Sequence, residues 1–166
     1  ESGQRYRISQ AAVKDDGVFS NFEGLSRTLV LLSGQGIQLS HKSIKGNVAE
    51  HCLKSPLDMA RFAGGDETLA TLNNGSIEDL NIMVRETDTK ANVSACFAPF
   101  DWEIKIYKNR LLTAFYANQT CTITVNETEN VVLEKNSFLN IKQNGTLSLM
   151  EGTGVFIEVL STKVAE

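Results

Sequence analysis

Residues 16–39 read Asp16-Gly17-Val18-Phe19-Ser20-Asn21-Phe22-Glu23-Gly24-Leu25-Ser26-Arg27, then Thr28-Leu29-Val30-Leu31-Leu32-Ser33-Gly34-Gln35-Gly36-Ile37-Gln38-Leu39. The second half is the simpler. Leu29, Val30, Leu31 and Leu32 form an apolar run suited to a buried strand, and Ser33 to Gly36 are turn residues that tolerate positive φ. Ile37 and Leu39 then alternate with Gln38 and Ser40, the period of a half-buried strand. The first half packs two Phe, two Gly and a Ser into an irregular loop that delivers Arg27 to the start of the strand. A loop that carries aromatics in this way is packed down, which fixes its polar groups in place.

Outward from this stretch the chain keeps the same grammar. On 6–13, Arg7, Ser9 and Ala11 fall on one face of a strand and Tyr6, Ile8 and Gln10 on the other. The segment 40–55, with His41 and His51, is polar and reads as a surface connection. A short extended piece runs from Pro56 to a Gly64-Gly65-Asp66 turn, and 68–72 is a strand closed by Asn73-Asn74-Gly75. Residues 76–85 fit a helix by propensity and a strand by period, since Leu80, Ile82 and Val84 alternate with Asn81, Met83 and Arg85. The strand is preferred, because everything around it is short strands. Further strands are expected at 93–97, 102–107, 111–116, 121–125, 131–133, 138–141, 147–150 and 155–160. Many short strands with turns between them and no convincing amphipathic helix predict an all-β sandwich or barrel.

An internal echo bears on the architecture. Residues 28–39 align without gaps on 146–157, with Thr, two Leu and both Gly of the Gly-x-Gly turn identical. Two readings stand: a duplicated β-barrel half, which is preferred, or two hairpins that converged on one turn chemistry.

At 166 residues the chain is expected to form one domain that buries about 70% of its unfolded surface without disulfides. Composition is ordinary, with 42% hydrophobic residues and no long apolar run, so neither a membrane span nor a secretory leader is expected. A net charge of −4 with Lys and Arg spread singly argues against nucleic-acid and membrane-surface partners. Cys52, Cys96 and Cys121 lack metal-ligand spacing and read as reduced thiols of a cytoplasmic protein. Asn74, Asn92, Asn118, Asn126 and Asn144 begin Asn-x-Ser/Thr tripeptides and are read here as turn residues.

The order Arg7-Ile8-Ser9-x-Ala11-x-Val13, Asp16-Gly17-x-Phe19-Ser20-x-Phe22-x-Gly24-x-x-Arg27, the Gly34-x-Gly36 strand pair, Phe62 with Gly65-Asp66, and Leu72-x-x-Gly75-x-x-x-Asp79-x-Asn81-x-Met83-x-Arg85 resembles the HutD/Ves family of bicupin proteins. The match is specific over the first half; the second half resembles the family only in being rich in strands. Family members usually open with a Trp-x-Asn-Gly-Gly-Gly-x-Thr segment that does not precede Glu1, so this part is either shortened here or built differently. The resemblance implies a compact RmlC-like bicupin of two β-barrel or jelly-roll halves, about 1–90 and 91–166, together one domain. It implies a bacterial cytoplasmic protein without known catalysis, linked to histidine utilisation (HutD) or to stress (Ves), and does not decide between those branches. HutD members are thought to sense a small acidic intermediate such as urocanate.

The residues agree with a chemistry of recognition. His41 and His51 lack the His-x-His pair of metal-binding cupins and read as solvated side chains, so no metal or other cofactor is expected. Ser9 and Ser20 have no nucleophile elbow, Cys96 sits in an apolar context that favours inert packing, and Gly34-x-Gly36 is a turn without a phosphate-binding helix. The expected ligand-binding set is Arg7, Ser9, Phe19, Ser20, Arg27, Asp66 and Asn81. Two Arg forks would hold a carboxylate, Ser9, Ser20 and Asn81 would add neutral hydrogen bonds, and Phe19 or Phe22 would give a flat wall. Asp66 and Asp79 would steady the arginines or receive an N–H; equally, Arg27 and Asp66 could be a buried pair that only joins loop to barrel. The function expected is small-molecule binding or regulation, with a small acidic metabolite as partner and a homodimer left open. The alternative is a metal-independent isomerase or hydrolase acting on a small carboxylate, with Asp66 or Asp79 as base.

Overall fold

The computed structural model describes residues 3–163, which form strands and turns without a helix. The chain divides into two compact units, one up to Lys90 and the other from Ala91. In the first, β1 (Tyr6–Val13), β8 (Ile77–Arg85), β3 (Leu25–Ser33) and β6 (Met59–Ala63) form one antiparallel sheet in that order. A second sheet holds β2 (Gly17–Val18), β7 (Glu67–Leu72), β4 (Ile37–Lys42) and β5 (Val48–Leu53). Leu29, Leu31 and Ile77 from the first sheet and Ile37, Leu39 and Ala70 from the second form the core between them. Each Leu or Ile side chain so buried contributes roughly 1.5–3 kcal/mol.

The second unit repeats this wiring. One sheet has the order β9 (Thr89–Phe97), β16 (Thr153–Ser161), β11 (Arg110–Ala117) and β14 (Phe138–Asn140). The other has β10 (Phe100–Ile104), β15 (Gly145–Glu151), β12 (Cys121–Val125) and β13 (Glu129–Leu133). Adding eight to each strand number of the first unit reproduces these orders, so both units are eight-stranded jelly rolls. Phe115, Ile123, Leu149 and Cys96 lie at the centre of the second core.

Two expectations are corrected. The echoed segments are not equivalent: residues 28–39 span the β3–β4 connection, whereas 146–157 span β15–β16, whose counterpart in the first unit is β7–β8. Both connections carry the chain from one sheet to the other through a tight turn, with Gly34 at φ 103° and Gly152 at φ 91°. The shared letters are turn chemistry; the repetition of the fold lies in the strand order instead. The segment 40–55 is not a bare connection either. It holds the end of β4 and all of β5, paired so that Leu39 faces His51 and His41 faces Ala49. The ambiguous segment 76–85 is strand β8, buried on both faces because it is central in its sheet, between β1 and β3.

A candidate anion-binding cleft

Period-2 alternation on four paired strands builds the site. Register places Arg7, Met83, Arg27 and Phe62 in one row across β1, β8, β3 and β6. The next row holds Ser9, Asn81, Leu29 and Ala60, and the one after it Ala11, Asp79 and Leu31. Every row carries a polar side chain on β1 or β8 beside apolar neighbours, so the core of the first unit borders a polar mouth. There an open cleft of about 250 Å³ is lined by Arg7 and Ser9 of β1, Arg27 of β3, and Asp79, Asn81 and Met83 of β8. Phe19, Ser20 and Phe22 close it from the loop before β3. The loop is tied by backbone bonds from Phe19 N to Thr68 O (2.8 Å) and from Phe22 N to Gly64 O (2.8 Å).

Arg27 is the centre of this arrangement. Only 5% of it is exposed, and its guanidinium carbon lies 5.0, 5.1 and 5.5 Å from the ring centres of Phe62, Phe22 and Phe19. Such cation–π contacts strengthen when water is excluded. Nη2 donates to Asn81 Oδ1 at 2.7 Å, and Asn81 Nδ2 donates to Asp79 Oδ1 at 2.5 Å. Nε is buried and has no hydrogen-bond partner. Burial lowers the pKa of Arg27, opposed by the charge of Asp79. Burial also pushes Asp79, 1% exposed, up to about 6, against the opposing effects of the Arg27 charge and the Asn81 hydrogen bond. The result is a donor-rich floor whose one carboxylate, Asp79, is held above the usual carboxylate range.

Six of the seven expected residues come together here: Arg7, Ser9, Phe19, Ser20, Arg27 and Asn81. Asp66 does not. It lies in the turn after β6, lines a different and wider cavity with Lys42 and Glu67, and makes no ion pair with Arg27. The carboxylate beside Arg27 is Asp79, which reaches it through Asn81. His41 is also corrected: it is 2% exposed rather than solvated. Its Nδ1 lies 2.9 Å from Thr68 Oγ1, its Nε2 lies 3.0 Å from Nδ1 of half-buried His51, and its ring packs on Phe62 with centroids 4.2 Å apart. Phe62 thus lies between Arg27 and His41. Burial lowers the His41 pKa, and the His51 and Arg27 charges act in the same direction against Asp66. Strand alternation could have found His41, since Ile37, Leu39 and His41 share a face. Among the described residues no group of three or more His, Cys, Asp or Glu is placed to hold a metal ion.

The comparisons agree with this architecture. Protein Ves of Citrobacter koseri is 37% identical over 89 residues, 53% of this chain and 44% of that protein. An uncharacterized 21.2 kDa protein in the hutC 3′ region of Pseudomonas putida is 26% identical over 115 residues, 69% of this chain and 56% of that protein. The chain therefore spans about half the length of these two relatives. Among solved structures, a conserved protein of unknown function from Pseudomonas aeruginosa PAO1 superposes with a TM-score of 0.77 at 23% identity, covering 98% of this chain and 86% of that one. HutD from Pseudomonas fluorescens SBW25 gives 0.71 at 18%, covering 98% and 85%. A cupin 2 conserved barrel domain protein from Leptotrichia buccalis gives 0.55 at 8%, covering 97% and 86%, and marks the fold as cupin-like. Residues 1–157 match the family described as HutD, so the chain belongs to the HutD family.

Proposed function

We propose that this chain binds a small unsaturated carboxylic acid of the urocanate type in the Arg27 cleft, as a non-catalytic sensor linked to histidine utilisation. The single observation that carries the reading is the unpartnered Nε of a buried guanidinium that lines an open cleft. An N–H without an acceptor costs about 1–3 kcal/mol, which a ligand carboxylate would offset by taking Nε–H and a neighbouring N–H together. Arg7, in the same row as Arg27, adds a second cation at the mouth. A planar ligand would meet the Phe19 and Phe22 rings, and an imidazole N–H would find an acceptor in ionised Asp79. The three free cysteines fit a reducing, cytoplasmic setting; no helix among the described residues is long and apolar enough to cross a membrane.

Asp79 gives one specific reason for a second reading. A carboxyl pushed up to about 6 suits a general base, which would make the cleft a metal-free isomerase or hydrolase site. One experiment separates the two. Urocanate is titrated by calorimetry while its ultraviolet absorbance is followed for hours; the sensor reading expects saturable heat and a constant spectrum. Progressive spectral loss proportional to protein concentration would establish turnover, and no heat at millimolar urocanate would remove both readings for this acid.

A further inference from the structure

The second unit has a cavity of its own, of about 280 Å³. Buried Ile104 and Leu147 line its base, and half-buried Val125, Leu139 and Ile141 its walls. The rim is different in kind. It carries Lys142 and the four amides of Asn126, Asn140, Gln143 and Asn144, and no Asp or Glu lines the cavity. The amide oxygens of the three Asn are already engaged by the fold. Asn126 Oδ1 accepts from Thr146 N at 2.9 Å, Asn144 Oδ1 from Ile106 N at 2.8 Å, and Asn140 Oδ1 from Arg110 Nη2 at 3.3 Å. Because the partner is a donor in every case, it fixes which end of the amide is oxygen. With each oxygen turned toward the fold, the three Asn present N–H to the cavity, and the Gln143 amide can turn its N–H there as well. The same Arg110 guanidinium also donates to Ile141 O, which places a fixed cation behind the rim.

An apolar base under a rim of donors with no acidic side chain selects one kind of molecule. We propose that this cavity binds a small carboxylic acid with an apolar ring or branched body, the body on Ile104 and Leu147 and the carboxylate at the Lys142–amide rim. The carboxylate would stay at the exposed rim, so it would escape the desolvation cost of a buried ion. The apolar walls would then supply most of the affinity, and Lys142 would act mainly as a selector of sign. The site stands whether or not the Arg27 cleft binds anything.

The test uses benzoate as the probe on the Arg27→Met protein, which removes the cation of the first cleft. Side-chain amide signals of Asn126, Asn140 and Asn144 are followed by NMR during the titration. Saturable shifts of all three are expected, with benzyl alcohol, a neutral molecule with the same ring, binding more weakly. Lys142→Ala should weaken benzoate about two- to fivefold, and Leu139→Trp, which fills the cavity, more than tenfold. Should Leu139→Trp fail to fold, Lys142→Glu carries the test, because a rim carboxylate must weaken benzoate further than Lys142→Ala does. Unmoved amide signals at about 10 mM benzoate, equal affinity for benzyl alcohol, undiminished binding in folded Leu139→Trp, or a Lys142→Glu no weaker than Lys142→Ala would overturn the proposal.

Discussion

Asp79 and Arg27 are both almost fully buried, yet no direct ion pair joins them; Asn81 stands between and donates to one while accepting from the other. Desolvation therefore outweighs attraction at Asp79, and the sign of its effect on stability follows. Its folded pKa of about 6 exceeds the ordinary 3.8, so below 3.8 both folded and unfolded chains hold the proton and nothing is lost. As pH rises from there through about 6, the unfolded chain releases the proton first and stability falls, in total by on the order of 3 kcal/mol. Asp79→Asn keeps an oxygen for Asn81 and cannot ionise. It should be more stable than the parent above pH 6, with the difference vanishing below pH 4; urea unfolding at pH 3.5 and 7.5 measures both, and an equal pH dependence in the two proteins would contradict it. The same scale shows what sequence reading can reach. Arg7, Ser9, Arg27 and Asn81 were legible because period 2 fixes a face on each strand. Asp66 was misplaced because proximity between a turn and a strand start depends on tertiary path. His41 was misread because polar letters around it hid an alternation that puts every second side chain inside.

At the level of elements, the Gly34 turn shows where backbone chemistry is strict. Its φ is 103°, and a Cβ there would meet Ile77 Cγ2 at 2.6 Å and Ser76 O at 2.7 Å. Gly46, in the β4–β5 turn, also has positive φ (82°) but open space around it. Gly46→Ala should therefore cost only the left-handed strain, about 1–2 kcal/mol, while Gly34→Ala adds overpacking of about 1–3 kcal/mol. Chemical denaturation of the two variants checks this, and equal costs would mean that the β3–β4 turn relaxes freely. These turns also explain why the strands were readable and the repeat was not. Alternation and turn residues report on one strand or one hairpin at a time. Strand order is set by which edges meet, so the eight-strand repeat left no aligned letters, while two unrelated sheet-crossing turns did.

For the molecule as a whole, the all-β class and the family followed from the strand pattern and the Arg7 to Arg85 motif order, because both are local in sequence. The chemistry of the mouths of the two jelly rolls was legible only for the first, where the motif lies. Metal dependence is a property of the whole chain, and none is expected: overnight dialysis against a chelator should leave both the melting temperature and urocanate binding unchanged. A large loss of either, restored by one divalent metal, would show a metal site that the described residues do not suggest. The central claim remains that Arg27 holds a carboxylate. Removing one partner of a buried, hydrogen-bonded charge pair costs about 2–5 kcal/mol, more than tenfold in affinity. The direct measurement is calorimetry of urocanate on the parent, on Arg27→Met, which keeps the volume between the three rings, and on Lys42→Ala, an exposed cation outside the cleft. The account predicts binding lost in folded Arg27→Met and unchanged in Lys42→Ala; undiminished binding by a folded Arg27→Met protein would contradict it.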